Sequence, residues 1–277
     1  MNVIKEYPTQ KIEVEAEKIR KYSYGINEDR DEHTTKDDSK IVAPPLYATV
    51  LSVPYTPAPL FDQELNLGLN VGRLVHGEQD TRIFRLLKPG EKITATVKFL
   101  GIEEKETGRV VRIYCENRDE KGELVAEGFA GYFIRGEKKG DKKKEEPPVA
   151  YGRKIFERVF NVLPDQSLRY AEGSGDTFPI HTDENFAKSM GLPTIILHGL
   201  CTMAFATKAV VDEYTKAPSK IRRVNVRFSK MVFPNDVLTF TGFESTEKGE
   251  VGKKVINIEA KNQRGEDVLK NAFVEVD

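Results

Sequence analysis

Two hydrophobic periodicities follow one another in the second half of this chain. Residues 194–216 are Ala-rich and contain no proline, and Leu200, Met203, Ala204, Thr207 and Val210 recur at helical spacing, which predicts one long apolar helix. The pattern then changes to period two. Val224, Val226 and Phe228 alternate with polar residues, 237–241 and 254–258 are rich in β-formers, and 268–276 closes the series. Turn signals at Phe233-Pro234-Asn235-Asp236, Glu247-Lys248-Gly249 and Gln263-Arg264-Gly265 separate these stretches into an antiparallel meander. A helix ahead of a run of strands describes an α+β unit, a curved antiparallel sheet wrapped around a central helix.

The first half repeats the strands, at 92–100, 109–116 and 124–134, but not the helix. In its place stands Ala43-Pro44-Pro45-Leu46-Tyr47-Ala48-Thr49-Val50-Leu51-Ser52-Val53-Pro54-Tyr55-Thr56-Pro57-Ala58-Pro59, where each interior proline removes a donor and costs about 3 kcal/mol. Three further correspondences keep register. Tyr22 to Glu28 lies over Tyr170 to Asp176 at an offset of 148, which also sets His33 over His181; Lys88 to Thr94 lies over Phe233 to Thr239 at 145, and Gly122 to Val125 over Gly265 to Val268 at 143. The chain therefore reads as two copies of one fold, with the helix degraded in the N-terminal copy. Between them, Gly136-Glu137-Lys138-Lys139-Gly140-Asp141-Lys142-Lys143-Lys144-Glu145-Glu146-Pro147-Pro148 has too little apolar surface to offset the entropy of ordering it. Residues 137–149 read as a charged linker between units 1–136 and 150–277.

Composition narrows the functional classes. Lys+Arg 43 against Asp+Glu 44 leaves a net charge of -1, which gives no overall reason to favour nucleic acid or an anionic membrane. No stretch approaches ~18 consecutive apolar residues, so no membrane span is expected. The first residues lack a signal-peptide layout, and Val274-Glu275-Val276-Asp277 is not a Ser-Lys-Leu address. Cys115 and Cys201 lie far apart without CxxC spacing, which points to neither a disulfide framework nor a zinc site. A reducing, cytoplasmic setting is the expectation.

The segment with the most chemistry is Tyr170-Ala171-Glu172-Gly173-Ser174-Gly175-Asp176-Thr177-Phe178-Pro179-Ile180-His181-Thr182-Asp183, followed by Leu197-His198-Gly199-Leu200. Asp176 and His181, held by Gly175 and Pro179, can converge from a rigid turn on one water as an acid–base pair. Gly199, near the start of the apolar helix, offers a backbone N–H to a developing oxyanion. The bland alternatives are that Asp176 caps a helix and His181 is a satisfied loop histidine. Asp183 reads as the cap of a helix over 183–190. A metal held by His181, His198 and Asp176 lacks a recognised ligand spacing, and none is expected.

These residues resemble the signature of MaoC-like dehydratases and type 2 enoyl-CoA hydratases, Tyr-x-x-x-Ser-Gly-Asp-x-Asn-Pro-Ile-His-x-Asp with a later His-Gly element. Leu74-Val75-His76-Gly77-Glu78-Gln79 is similar to a segment in the first repeat of their double hot-dog members. The resemblance implies a tandem hot-dog fold and reversible addition of water to a trans-2-enoyl thioester, giving an (R)-3-hydroxyacyl thioester. It makes Asp176 and His181 the groups that activate water and Gly199 the oxyanion donor. Phe178, His198 and Thr207 become substrate-contacting positions, Thr207 because related enzymes place a small hydroxyl there. No cofactor is implied; coenzyme A or acyl carrier protein arrives as part of the substrate. A homodimer is compatible with the fold.

One departure stands out: Phe178 replaces the family's Asn and cannot hydrogen-bond through its side chain. The first copy keeps Glu28 and His33 at the spacing of Asp176 and His181 but lacks the rigid turn and the helix end, so it reads as noncatalytic. Its broken helix leaves room for a long or bulky acyl tail, with Tyr55, Leu60, Phe61 and Leu65 as candidate lining. Arg222, Arg223, Arg227 and Lys230 meet a nucleotide phosphate or form a solvated strand face. The alternatives to a hydratase are a hot-dog thioesterase and an acyl-thioester binding subunit with a lapsed site.

Overall fold

In the computed structural model, described for residues 1–65, 67–68, 74–136, 151–245, 249 and 252–277, eleven strands form one antiparallel sheet. The elements run β1 (Lys5–Glu6), β2 (Gln10–Glu13), α1 (Ala16–Gly25), α2 (Asp31–Thr34), α3 (Tyr47–Val50), β3 (Leu74–Ile83), β4 (Lys92–Lys105), β5 (Gly108–Arg118) and β6 (Leu124–Arg135) in the first half. The second half contributes β7 (Lys154–Asn161), α4 (Gln166–Ser174), α5 (Pro179–Thr182), α6 (Glu184–Ser189), α7 (Gly199–Val210), β8 (Ile221–Phe228), β9 (Val237–Glu244), β10 (Lys254–Asn262) and β11 (Asp267–Val276). The linker expected over 137–149 lies outside the described residues, as does most of the turn at Glu247.

The strand order β1-β4-β5-β6-β3-β8-β11-β10-β9-β7, with β2 also paired to β4, is a palindrome of the two halves. Its centre is the antiparallel β3–β8 pair, where Asp80 faces Asn225 and Glu78 faces Arg227. Helices α1 and α4, α2 and α5, and α3 and α7 occupy matching places in the two halves, so the duplication read from the offsets is a property of the fold. Strands β3 and β7 and helices α1 and α4 had no sequence assignment, because their short alternating or weakly amphipathic stretches lack strong boundaries.

The second half's helix is buried on every side from Leu200 to Val210, as expected of a helix apolar all round. Phe205 stacks on Phe160, ring centroids 5.1 Å apart, and tethers α7 to β7. The helix begins at Gly199 rather than Thr194. The amides of Ile196 and Leu197 are committed to the carbonyls of Ile180 and Val232, which holds the preceding residues extended. In the first half the prolines have the anticipated effect. A four-residue helix, α3, is followed only by single 3₁₀ turns at Val53–Tyr55 and Ala58–Leu60, each with proline in its first turn.

The halves meet through α1 and α4. A Cβ placed on Gly173 would lie 2.4 Å from the backbone of Tyr22, and one on Gly25 would lie 2.9 Å from Tyr170 Cα. Only glycine permits backbones this close. The contact is latched by Gln166, whose Nε2 donates to the Gly25 carbonyl at 2.6 Å while its Oε1 accepts from Asn27 at 3.0 Å.

Gly173→Ala is therefore expected to lower stability by about 2–3 kcal/mol, an overpacking cost at a site that cannot relax. Urea-unfolding midpoints of the two proteins check this; an unchanged midpoint refutes the close approach.

Candidate active site

Helix α4 ends where the chemistry begins. Gly175 takes φ +76° as the left-handed cap, a conformation strained for any side-chain-bearing residue, and the chain turns sharply into Asp176. Pro179 opens α5 and carries His181 one turn on. Asp183 caps α6, accepting from the amides of Asn185 and Phe186 at 2.8 and 3.1 Å, as the sequence predicted. Two rigid turns thus bracket the Asp–His pair.

His181 Nδ1 donates to the Ile196 carbonyl at 2.8 Å, which leaves Nε2 as the free lone pair. Burial holds its pKa below the ordinary 6.5, opposed by the nearby Asp176 charge, so the ring is a neutral base at physiological pH. His198 stacks on it, centroids 3.9 Å apart, and donates from Nε2 to the backbone carbonyl of Asp176 at 2.9 Å. Burial first, and His181 second, keep His198 well below 6.5. His198 thus holds the Asp176 backbone, and Tyr170 lies against its ring at 4.8 Å. Asp176, His181 and His198 offer ligand atoms within 4.8 Å of one another. Of these, His198 Nε2 is already engaged by the Asp176 carbonyl and His181 Nδ1 by the Ile196 carbonyl.

Gly199 is the first residue of α7, and its N–H has no acceptor within the helix. A Cβ there would lie 3.0 Å from the Phe228 ring, so glycine lets the ring press against the helix start. Phe178 is half-exposed, packed edge-on against Phe186 at 6.1 Å. Its amide, not its side chain, contacts Asp176, donating to Oδ1 at 3.3 Å. Thr207 is not brought to this group. It is buried, its hydroxyl donates to the Met203 carbonyl, and it lines a separate cavity with Glu28 and Lys208.

A residue without an assigned role joins the site from the first half. His76, on β3, stacks on Tyr132 at 4.8 Å and meets Phe228 edge-on at 5.1 Å. Burial lowers its pKa to about 4, against the pull of the Asp176 charge. It also lines a small cavity of about 20 Å³ with Thr49, Ser52, Thr56, Asn117 and Tyr132, in the room left by the interrupted helix. Pro54 lies 3.4 Å from the Cβ position of Gly175, which seats that broken segment directly beside the Asp176 turn. The lining residues expected from sequence are elsewhere: Leu60, Tyr55 and Leu65 belong to the core under β4–β6, and Phe61 is exposed.

The first half's counterpart site is closed. His33 repeats the anchoring of His181, its Nδ1 bonding the Val42 carbonyl at 2.6 Å, but it is fully buried. Glu28, in the place of Asp176, is held by Arg30 and by Lys208 at 3.2 Å; Lys208 also reaches Asp29 and Asp212. Of the basic residues on and beside β8, Arg223 forms a two-point pair with Asp80, Arg222 pairs with Asp277 and Lys230 with Glu266.

Both halves of the chain are similar to known proteins. Residues 141–267 match the family described as MaoC like domain, and residues 3–128 match the FAS1-like dehydratase domain region. The chain is 31% identical to "Enoyl-CoA hydratase 2, peroxisomal" of Arabidopsis thaliana over 60% of its own length and 58% of that protein's. It is 32% identical to "3-hydroxyacyl-thioester dehydratase Y" of Mycobacterium tuberculosis, covering 70% of this chain and 68% of that one. A crystal structure of a MaoC-like dehydratase from Phytophthora capsici superposes with a TM-score of 0.83 at 27% identity, over 99% of this chain and 95% of that one.

His76, His181 and His198 bind protons more weakly folded than unfolded, so stability is full above about pH 6.5 and falls as pH drops toward about 4. Urea midpoints measured between pH 7 and 4.5 are expected to decline, and His76→Phe to flatten the decline; an equal slope in both proteins contradicts the assignment.

Proposed function

The chain belongs to the MaoC-like dehydratase family in its double hot-dog form, and from that premise we propose that it reversibly hydrates a trans-2-enoyl thioester to an (R)-3-hydroxyacyl thioester. The observation that carries this reading is the convergence of Asp176, a neutral His181 and the first N–H of buried α7 beside the His76 cavity. The Asp176 carboxylate and His181 Nε2 each accept an O–H of one water. Its oxygen bonds to C3, and the proton taken up by the pair is delivered to C2 as the enolate collapses. The thioester oxygen carries the intermediate charge, and Gly199 N–H donates to it there. The reaction is redox-neutral and needs no electron carrier.

The acyl group extends into the first half's cavity, which makes the N-terminal repeat the substrate-accommodating unit. Coenzyme A is the carrier in this reading. All the groups named come from one chain, because the two repeats pair internally through β3 and β8. No helix among the described residues is long and apolar enough to cross a membrane. The free, buried Cys115 and Cys201 support a cytoplasmic placement; the word peroxisomal in the Arabidopsis protein's name concerns that protein.

Loss of the conjugated-enoyl absorbance of crotonyl-CoA tests the reaction. Asp176→Asn and His181→Gln are expected to lower kcat by about 10²–10⁴. Turnover unaffected by either change rejects the mechanism, and thiol release without hydration would make the protein a thioesterase. Phe178→Asn is expected to shift kcat/KM by no more than about tenfold, the worth of one hydrogen bond, because the Phe178 backbone already holds Asp176.

A further inference from the structure

The small cavity beside His76 is walled largely by apolar surface, from Val53, Cys115, Ala126 and Ala130, and carries a few polar groups at particular places. Three of its lining residues carry a buried polar atom with no hydrogen-bond partner among the described residues: Thr49 Oγ1, Asn117 Oδ1 and His76 Nε2. Thr49 is 7% exposed and Asn117 2%, so water outside the fold does not reach them. Each belongs to a side chain held in place. Asn117 Nδ2 donates to the Ala48 carbonyl at 2.8 Å, which leaves Oδ1 as the unpartnered atom. The His76 ring is clamped between Tyr132 and Phe228 and engaged by Gln79. Nearby, the Thr56 and Tyr132 hydroxyls satisfy each other at 2.8 Å, so the unpartnered atoms are particular ones rather than a general polarity of the wall.

Their chemistry specifies what would satisfy them. Asn117 Oδ1 is an acceptor only, and the unpartnered nitrogen of a neutral imidazole whose other nitrogen donates is also an acceptor. Thr49 both donates and accepts. A methylene chain leaves all three unmet, a carbonyl oxygen on the tail can serve only Thr49, and a hydroxyl can donate to either acceptor while accepting from Thr49. Buried polar groups left unpaired reject a ligand lacking the matching group.

We propose that the acyl chain accepted by this protein carries a hydroxyl group beyond the reacting double bond, bound in the first repeat by Asn117, His76 and Thr49. The assignment rests on the thioester reading above for the direction in which the acyl group lies. It narrows the sequence-based expectation of a site for a long or bulky tail to one that carries a hydroxyl.

The test uses pairs of acyl-CoAs of successive chain lengths in which a terminal methyl is replaced by a hydroxyl. Saturated pairs are titrated against the full chain by calorimetry, which requires no turnover; the corresponding trans-2-enoyl pairs are assayed for hydration. At one or more lengths the hydroxylated member is expected to bind at least about tenfold more tightly than its methyl isostere. In Thr49→Val, and separately in Asn117→Leu, the ratio within that pair is expected to fall toward one; either variant suffices if the other does not fold. Methyl members binding as tightly as hydroxylated ones at every length overturn the proposal, even if crotonyl-CoA is hydrated. A hydroxyl preference in binding with no hydration of any enoyl-CoA upholds this proposal and defeats the hydratase reading.

Discussion

The contact between α1 and α4 is the constraint on which the remainder of the structure hangs. Gly25 and Gly173 let two backbones meet where any side chain would collide, and Gln166 latches the pair. Because α4 is pinned at this point, its left-handed end at Gly175 has a fixed position, and so does Asp176 one residue later. His198 then ties the Asp176 carbonyl to the start of α7, and the Ile196 carbonyl ties His181 to the same approach segment, with Ser167 of α4 donating to that oxygen at 2.8 Å. The acid–base pair is thus a downstream consequence of helix packing between the repeats.

Electrostatics completes what packing begins. Burial disfavours the imidazolium form, so His181 is kept neutral even though the Asp176 charge pulls the other way. The first half shows the opposite outcome from nearly the same backbone. His33 is anchored as His181 is, but Glu28 lies against Arg30 and Lys208, which hold its carboxylate as part of a buried ion-pair cluster. The two Asp/Glu–His pairs differ most in the charge of the residues facing them.

Much of this was legible in the sequence. Repeated offsets revealed the duplication, the prolines from Pro44 to Pro59 announced the broken helix, and the Asp176-to-His181 segment marked the turn that carries the pair. What the sequence hid were relations across the pseudo-symmetric interface. His76 and Asn117 reach the site region only because β3 and β5 belong to the other half, a distance of 100 and 59 positions from Asp176. Thr207 was misplaced for the same reason. Helical spacing from Gly199 puts it on α7, but the face it occupies looks toward the first repeat's closed site. Phe178 looked like damage because side-chain chemistry is what a sequence displays, while its amide holds Asp176.

The palindromic sheet also limits how many such sites one chain can hold. The cavity beside His76 lies where the first half's helix is broken, whereas the smaller hollow beside Glu28 is bordered by an unbroken α7 and its Lys208 ion pairs. Opening the second would mean breaking α7, whose eleven consecutive buried residues from Leu200 to Val210 form the middle of the main core. A tandem arrangement of this kind can surrender one of its two cores to a ligand and still fold, so functional asymmetry between the halves is built into its architecture from the moment one helix is lost.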